Sequence, residues 1–299
     1  GALFATEYGN YALSNPGNDS LDTKQATQVL APEPKNLPDK PINVLVLGTD
    51  DRGSKSGGRS DTLILLRLDF KRSFISQLSF PRDLQVNIPG HGTDKINAAY
   101  SSGGTKRAIE TVKQLTGEDI QYFFNVDFNA FRRLVNDAGG VFLDVDRHYF
   151  NDNSGSGENF EQLDILPGYQ LVKGADALDY VRYRHFDSDY ARIARQQLFL
   201  AELKRSTRSA RGLDNIVDAV HSDVTTNLRS VSRLRKFLQF GLSIEKDRIA
   251  RFSVPVSGDG TNSRGAYVSF YDDAKLAQMV DSWKNPSFTE VEATAAKSD

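Results

Sequence analysis

Short apolar runs and stretches with a helical repeat follow one another along the chain, which predicts a mixed α/β protein. The apolar runs are rich in Ile, Leu, Val and Phe and are bounded by Gly, Pro and Asp, as buried strands are. They lie at 42–47, 62–70, 74–80, 120–126, 141–145 and 248–256. The helical repeats lie at 105–115, 128–138, 174–179, 189–206, 228–242 and 271–283. Gly139-Gly140 is a typical helix stop after the second of these.

Two segments in the second half are polar or ambiguous. The stretch 148–162 is rich in Gly and Asn and is predicted to be a surface loop. The stretch 180–185 is rich in aromatic and β-branched residues, so we expect it to be extended. In an extended chain Arg182 and Arg184 point to the same face. Two surface arginines on an edge strand are the alternative interpretation.

The helix predicted from Ser188 or Asp189 to about Ser206 carries polar residues within its apolar stripe. The apolar positions on that face are Ile193, Leu200 and Leu203. Asp189, Arg192 and Gln196 fall on the same face, where polar groups are costly unless they are paired or meet a ligand. A salt bridge between Asp189 and Arg192 is one explanation. The nearby arginine pair favours a binding site.

Charged residues gather where the first three predicted strands begin or end. The residues concerned are Asp50, Asp51, Arg52, Arg59, Asp61, Arg82 and Asp83. If the strands share a sheet, these ends can converge on one edge, where open α/β sheets tend to bind ligands. Carboxylates suit Mg²⁺ and arginine forks suit phosphate, which points to a divalent cation with a phosphorylated ligand. Ordinary turn chemistry and an Arg59–Asp61 ion pair are the alternative.

The composition excludes several classes of function. The 299 residues are 39% hydrophobic and 25% charged, with a net charge of −2, so bulk nucleic-acid binding is not expected. The absence of cysteine excludes disulfides, thiolate zinc sites and a cysteine nucleophile. Only four histidines occur and none pair at metal-ligand spacing. Neither a Walker loop, nor a nucleophile elbow, nor an apolar run of about twenty residues is present.

We expect a single folded domain, residues 41–285. Residues 1–40 lack periodicity and contain turn-like and proline-containing stretches, so they are predicted to be a linker. The tail, residues 286–299, is predicted to be disordered.

Six motifs in a fixed order resemble those of the LytR-CpsA-Psr proteins. They are GTDDR at 48–52, GRSDT at 58–62, PRD at 81–83, KINAAY at 95–100, YVRYR at 180–184 and DYARIARQQ at 189–197. Each motif is short, but their common order over roughly 41–205 makes the resemblance specific.

The resemblance implies a fold with a central mixed β-sheet sandwiched by α-helices. It implies a catalytic domain on the extracytoplasmic face of the bacterial membrane, anchored through an N-terminal helix that this sequence does not contain. The implied activity is Mg²⁺-dependent transfer of a glycopolymer from a polyprenyl (undecaprenyl) pyrophosphate carrier to a peptidoglycan hydroxyl. The polymer could be teichoic acid, capsule or another wall polymer. Nucleic acid is not an expected partner.

Roles for individual residues also follow from the resemblance. Asp50 and Asp61 match the Mg²⁺ carboxylates. The residues that match the pyrophosphate clamp are Arg59, Arg82, Arg182, Arg184 and Gln196. Asp189 is the candidate for activating the acceptor hydroxyl, with Arg192 orienting it. Asp51 and Ala191 depart from the pattern, and Asp51 could compete for the metal.

Two rival functions use the same residues. One is a pyrophosphohydrolase that releases the lipid carrier, with water as the acceptor. The other is a non-catalytic binder of prenyl phosphates or a regulator, which a candidate base on the clamp face disfavours. For the transferase we also expect a long apolar cavity for the polyprenyl chain, beginning beside Arg82 and Arg182 and walled by the sheet and a helix layer.

Overall fold

The computed structural model describes residues 20–34, 40–50, 58, 60–151, 163–183, 189–207, 210–262 and 264–288. Of 189–194, 197, 210 and 211 it describes the backbone alone. The helices are α1 (Leu21–Thr27), α2 (Ala98–Thr116), α3 (Phe128–Asp137), α4 (Gly174–Arg182), α5 (Asp189–Ser206), α6 (Ala210–Asp223), α7 (Val231–Ser243) and α8 (Asp273–Lys284). None of these is long and apolar enough to cross a bilayer.

The strands are interspersed among these helices along the chain. They are β1 (Ile42–Thr49), β2 (Ser60–Asp69), β3 (Phe74–Ser79), β4 (Gln85–Ile88), β5 (Gly92–Lys95), β6 (Tyr122–Asp127), β7 (Val141–Val145), β8 (Tyr149–Asn151), β9 (Leu163–Ile165), β10 (Gly168–Val172), β11 (Thr225–Thr226), β12 (Ile249–Ser253), β13 (Val256–Thr261) and β14 (Tyr267–Tyr271).

The chain divides into two compact units. The first, which we call the sheet unit, takes Gly1–Asp127, Val224–Arg233 and Ser243–Asp299. The second, which we call the helix-rich unit, takes Phe128–Asp223 and Leu234–Leu242.

The centre of the sheet unit is a six-stranded mixed sheet in the order β11-β6-β1-β2-β3-β12. Strand β1 pairs antiparallel with β2 and parallel with β6, which makes the sheet mixed. Side chains from one sheet face, such as Leu45, Leu65 and Phe123, are fully buried in a core shared with Ile109 of α2 and Trp283 of α8. The predicted α/β fold with a central mixed sheet is therefore confirmed.

Residues 20–34, which the sequence indicated to be linker, fold onto this unit. The carboxylate of Asp22 in α1 accepts hydrogen bonds from the backbone N–H of Thr105 at 3.0 Å and from its hydroxyl at 2.6 Å. Helix α2 breaks at Gly103-Gly104, so Asp22 caps its longer second segment. Gly104 has φ +65, and a β-carbon there would lie 2.1 Å from an Asp22 oxygen, so glycine is required.

The helix-rich unit has its own core beneath the β7–β10 ribbon. Alternate residues of β7 are buried against α3, α4 and α5, together with Tyr149, Tyr180 and Phe199. Tyr149 lies in β8, which pairs with β9, so the prediction of a surface loop was wrong at this residue. Most of the remainder of that predicted loop, 152–162, lies outside the described residues. Helix α3 ends at Gly139-Gly140 as predicted, and both glycines have positive φ.

Two sequence interpretations in this unit are corrected. Tyr180 to Arg182 continue α4 as a helix, because Ala177 and Tyr180 bury one helical face in the core. The predicted apolar face of α5 was wrong at Leu200, which is 60% exposed, whereas Leu203 packs against the core as predicted. Arg195 and Phe199 are buried as well. Backbone carbonyls accept hydrogen bonds from the buried guanidinium of Arg195. The buried face of α5 therefore includes an arginine, which an apolar pattern does not reveal.

Candidate active site

A β-bulge turns Asp61 away from the regular ladder. Gly48 pairs with Thr62, but Thr49 pairs with Ser60, which leaves Asp61 as the extra residue on β2. Bulges of this kind bend the strand and re-aim a side chain, and they are common beside active sites. Asp50 is the first residue after β1, so the two predicted metal carboxylates flank the Thr49–Ser60 pair.

Beneath this bulge the strand ends are tied together by polar side chains. The Thr49 hydroxyl donates to Asn125 Oδ1 of β6 at 2.8 Å, and Asn125 Nδ2 donates to the Tyr100 hydroxyl of α2 at 2.9 Å. These bonds fix the ends of β1 and β6 to one another and to the first turns of α2. The bulge therefore stands on a rigid support.

Arg82 reaches across from the end of β3 to Asp61. Its Nη1 lies 3.3 Å from Asp61 Oδ1, and the side chains are 40% and 35% exposed. An ion pair this exposed contributes little to stability. The Arg82 guanidinium can therefore exchange Asp61 for a phosphate at small cost, while its Nε remains 3.4 Å from Asp83 Oδ2.

Asp83 links Arg82 to Lys95 of β5. Lys95 Nζ donates to Asp83 Oδ1 at 2.7 Å, so both carboxylate oxygens face a cation. Burial acts to raise the pKa of Asp83, but the hydrogen bond and charge of Lys95 and the charge of Arg82 outweigh it and lower the pKa. Asp83 is thus held as a carboxylate that orients Arg82. Asp83 and Lys95 lie in the quoted motifs, yet sequence reasoning assigned neither of them a role.

Arg182 and Gln196 are the predicted site residues of the helix-rich unit whose side chains are described, and both lie at the C-terminal end of α4. The Arg182 guanidinium lies 4.0 Å from the centre of the Phe128 ring, a cation–π contact. Gln196 Nε2 donates to the Val181 carbonyl at 3.1 Å. Arg195 Nε donates to the Tyr180 carbonyl at 3.2 Å, and its Nη2 donates to that of Tyr183.

Arg195 is also enclosed by aromatic rings. Its Cζ lies 5.3 Å from the ring centre of Tyr149 and 5.7 Å from that of Tyr183. Burial raises the pKa of Tyr180 to about 12, with a further contribution from Tyr149 and Asp146. Burial also raises the pKa of Tyr149, so the phenols of Tyr149 and Tyr180 stay neutral. Arg195 therefore holds the end of α4 on α5 through carbonyls and rings. Sequence reasoning missed this residue, although an arginine four positions before the buried Phe199 was a signal.

The structure thus brings Asp61 and Arg82 into contact and places Asp50 at the adjoining strand end. Arg182 ends α4 and contacts Phe128 of α3, and Gln196 contacts the Val181 carbonyl in the last turn of α4. Arg59 and Arg184 lie outside the described residues, and the side chains of Asp189 and Arg192 do too, although α5 begins at Asp189 as predicted. Their assignments stay predictions.

The oxygen donors beside the bulge fit a magnesium ion. Mg²⁺ is usually held by one or two carboxylates, with phosphate and water completing an octahedron. The Ser60 hydroxyl, beside Asp61, is buried and has no hydrogen-bond partner in the part of the chain that is described. A buried hydroxyl without a partner is rare, and a bound ion or water is one explanation for it. Within the described residues, no group of three His, Cys, Asp or Glu that could hold a metal ion gathers.

The comparison with known families decides the relationship. A model of the LytR_cpsA_psr family matches residues 9–285. The chain belongs to this family. The match extends beyond 41–205, the stretch that carries the six motifs, on both sides.

Two curated relatives bear the name of teichoic acid transferases. TagV of Bacillus subtilis, a polyisoprenyl-teichoic acid–peptidoglycan teichoic acid transferase, is 33% identical over 233 residues, 74% of this chain and 59% of TagV. TagU of Halalkalibacterium halodurans, a transferase of the same name, is 37% identical over 195 residues, 63% of this chain and 62% of TagU. The chain thus matches about three fifths of the length of these curated relatives.

A solved structure gives the same relationship in three dimensions. The structure of TagT bound to LI-WTA is similar to this LytR_cpsA_psr chain with a TM-score of 0.64 and 26% identity, covering 85% of this chain and 93% of TagT.

Proposed function

We propose that this chain is the catalytic part of a cell-wall glycopolymer transferase. The donor is a glycopolymer on a polyprenyl pyrophosphate, and the acceptor is a hydroxyl of peptidoglycan. The observation that carries the proposal is the Asp61–Arg82–Asp83–Lys95 network at a bulged strand end, in a chain related to teichoic acid transferases. Such a protein works on the outer face of the cytoplasmic membrane, held there by an anchor N-terminal to these residues.

The proposed reaction forms one P–O bond and breaks another. The acceptor oxygen attacks the sugar-linked phosphorus and passes its proton to the Asp189 carboxylate, while the bond to polyprenyl phosphate breaks. The products are a phosphodiester and polyprenyl monophosphate, so no covalent enzyme intermediate is required. Arg82 and Arg182, with Arg59, Arg184 and Gln196, bind the phosphoryl oxygens as negative charge develops. Arg192 orients the acceptor.

Asp50 and Asp61 would hold Mg²⁺, which supplies charge neutralisation on the pyrophosphate when bound. The bulge at Asp61 favours this role because it directs one carboxylate out of the ladder, towards the exposed Arg82. Asp51 lies outside the described residues.

One face of the central sheet fits the lipid part of the donor. Phe124, Val46 and Ile64 form a row across three neighbouring strands, and each is only partly buried, as is Leu66. On the opposite face Leu45, Leu65 and Phe123 are fully buried. Central strands normally bury both faces, so a half-buried apolar row supports a binding surface for a hydrocarbon chain.

The test is to incubate the protein with a defined lipid-linked glycan and Mg²⁺, with and without peptidoglycan, and to analyse the products. The proposal predicts a phosphodiester on peptidoglycan and release of polyprenyl monophosphate. Equal release of the carrier with water as the acceptor, and no linkage to peptidoglycan, would establish the hydrolase instead. Tight binding of the lipid without turnover would establish a non-catalytic binder or regulator.

A further inference from the structure

The hairpin of β13 and β14 is continuous with the Arg82 network. The Ser269 N–H donates to the Asp83 carbonyl at 2.9 Å, and Ser269 forms a parallel bridge with Leu84. Lys95, which binds Asp83, places its Nζ 6.0 Å from the centre of the Tyr267 ring. Consecutive contacts therefore run from Asp61 through Arg82, Asp83 and Lys95 to this hairpin.

One face of the hairpin carries an aromatic ring, a carboxylate and a hydroxyl. Asp259 pairs with Ser269, and Thr261 pairs with Tyr267, so these four side chains share a face. Tyr267 is 54% exposed, and Asp259 and Thr261 are exposed as well. We call Asp259, Thr261 and Tyr267 the outer hairpin face.

The outer hairpin face is held in place by its own polar contacts. The Ser269 hydroxyl donates to Asp259 Oδ1 at 2.7 Å. A hydrogen bond to the Asp259 carboxylate raises the pKa of the Tyr267 phenol and fixes its hydroxyl on the hairpin. The exposed Tyr267 ring is held between Lys95 and Asp259. Because its side chain has little conformational freedom left to lose, binding of a ligand to this ring costs little entropy.

The chemistry of this face fits a neutral sugar chain. The C–H groups of a pyranose face carry partial positive charge, which the negative face of an aromatic ring attracts. A carboxylate can accept several hydrogen bonds, so Asp259 retains capacity for sugar hydroxyls beyond its bonds from Ser269 and Tyr267. The same carboxylate repels phosphate, which distinguishes this face from the arginines proposed to bind the donor pyrophosphate.

We infer that the outer hairpin face binds the glycan strand of the acceptor and leads its reactive hydroxyl towards Arg82. This inference rests on the proposed function, because it assigns the second substrate of the same site. It makes Tyr267 and Asp259 determinants of acceptor binding, separate from the arginines proposed to bind the donor pyrophosphate. The continuity through Lys95 and Asp83 places them beside the candidate active site and within the same compact unit.

Binding to soluble peptidoglycan glycan strands, measured by calorimetry without any donor, tests the inference independently of turnover. Tyr267→Ala should weaken binding by on the order of threefold to tenfold, the usual worth of an aromatic contact. Tyr267→Phe should retain most of the affinity, since it keeps the ring. Tyr169→Ala is the matched control, because Tyr169 is 64% exposed on β10 and stacks on Phe142. Its affinity should equal that of wild type.

Steady-state transfer then separates the two substrates. Tyr267→Ala and Asp259→Asn should raise the acceptor KM by a similar factor, while the donor KM and the melting temperature stay at wild-type values. Glycan binding by Tyr267→Ala equal to wild type, or no glycan binding by the wild type, would overturn the inference. A third outcome separates the two proposals. If the wild type binds glycan, Tyr267→Ala binds it more weakly, and the wild type shows no transfer, the proposed reaction is refuted and the glycan site is retained.

Discussion

Removal of the Arg195 guanidinium should destabilise the helix-rich unit strongly. Arg195 is 6% exposed and donates to the carbonyls of Tyr180 and Tyr183, near the end of α4. A net contribution of about 1.5–3 kcal/mol is typical for a hydrogen bond from a charged donor. Two such bonds, reduced by the cost of burying the charge, give about 3–4 kcal/mol for Arg195→Ala.

Two further variants separate the contributions. Arg195→Met keeps the apolar stem between the tyrosine rings and loses the hydrogen-bond donors. Compared with Arg195→Ala, it should therefore regain only the part of the unfolding free energy that comes from packing of the stem. Arg205→Ala is the control on the same helix, because that side chain is 67% exposed and its ion pair with Glu202 lies on the surface. Its effect should stay below about 0.5 kcal/mol.

Urea unfolding, followed by circular dichroism and by hydrogen exchange of α4 and α5 amides, measures these differences. Exchange is needed because the two compact units can unfold separately. The reasoning fails if Arg195→Ala unfolds within about 0.5 kcal/mol of wild type, or if α4 keeps wild-type protection.

Three other substitutions test the remaining structural assignments. Arg82→Lys should lose about 2–4 kcal/mol of transition-state stabilisation, the same loss that is expected of Arg82→Ala, because a point charge cannot replace a bidentate fork. A wild-type kcat/KM for the lysine variant would contradict this. Asp189→Asn should bind the lipid donor normally and lose transfer, since an amide cannot accept the acceptor proton; transfer within about threefold of wild type would leave Asp189 a structural role. Asp22→Ala should cost about 1 kcal/mol in unfolding free energy by removing the cap on Thr105, and an unchanged melting temperature would show that the cap contributes nothing.

Five of the six strands of the central sheet were predictable because each is an apolar run bounded by turn residues, whereas β11 consists only of Thr225 and Thr226. Strands β1, β2 and β3 lie where the pattern placed them, and the charged residues at their ends follow from that. The bulge at Asp61 was not predictable, because pairing register depends on the partner strand. The contacts of Asp83 with Lys95 were also hidden, since they join residues 12 positions apart through a hairpin.

The helices of the helix-rich unit were harder to predict for the same reason. Propensity favours an extended form for Tyr180 to Arg182, but burial of Tyr180 in the core makes them helical. Helix α6 was missed, although Leu213, Val217 and Val220 recur on one buried face. Tertiary packing thus overrides the local signal at 180–182, whereas in α6 it agrees with the helical repeat.

The most direct test of the central claim is linkage analysis of peptidoglycan after incubation with a lipid-linked glycopolymer, Mg²⁺ and either wild type or Asp61→Ala. Wild type should form a phosphodiester between the polymer and peptidoglycan, and Asp61→Ala should form none while retaining a wild-type circular dichroism spectrum and melting temperature. Full transfer by Asp61→Ala in excess chelator would contradict the assigned site. Absence of a phosphodiester with wild type, across teichoic acid and capsular donors, would contradict the transferase itself.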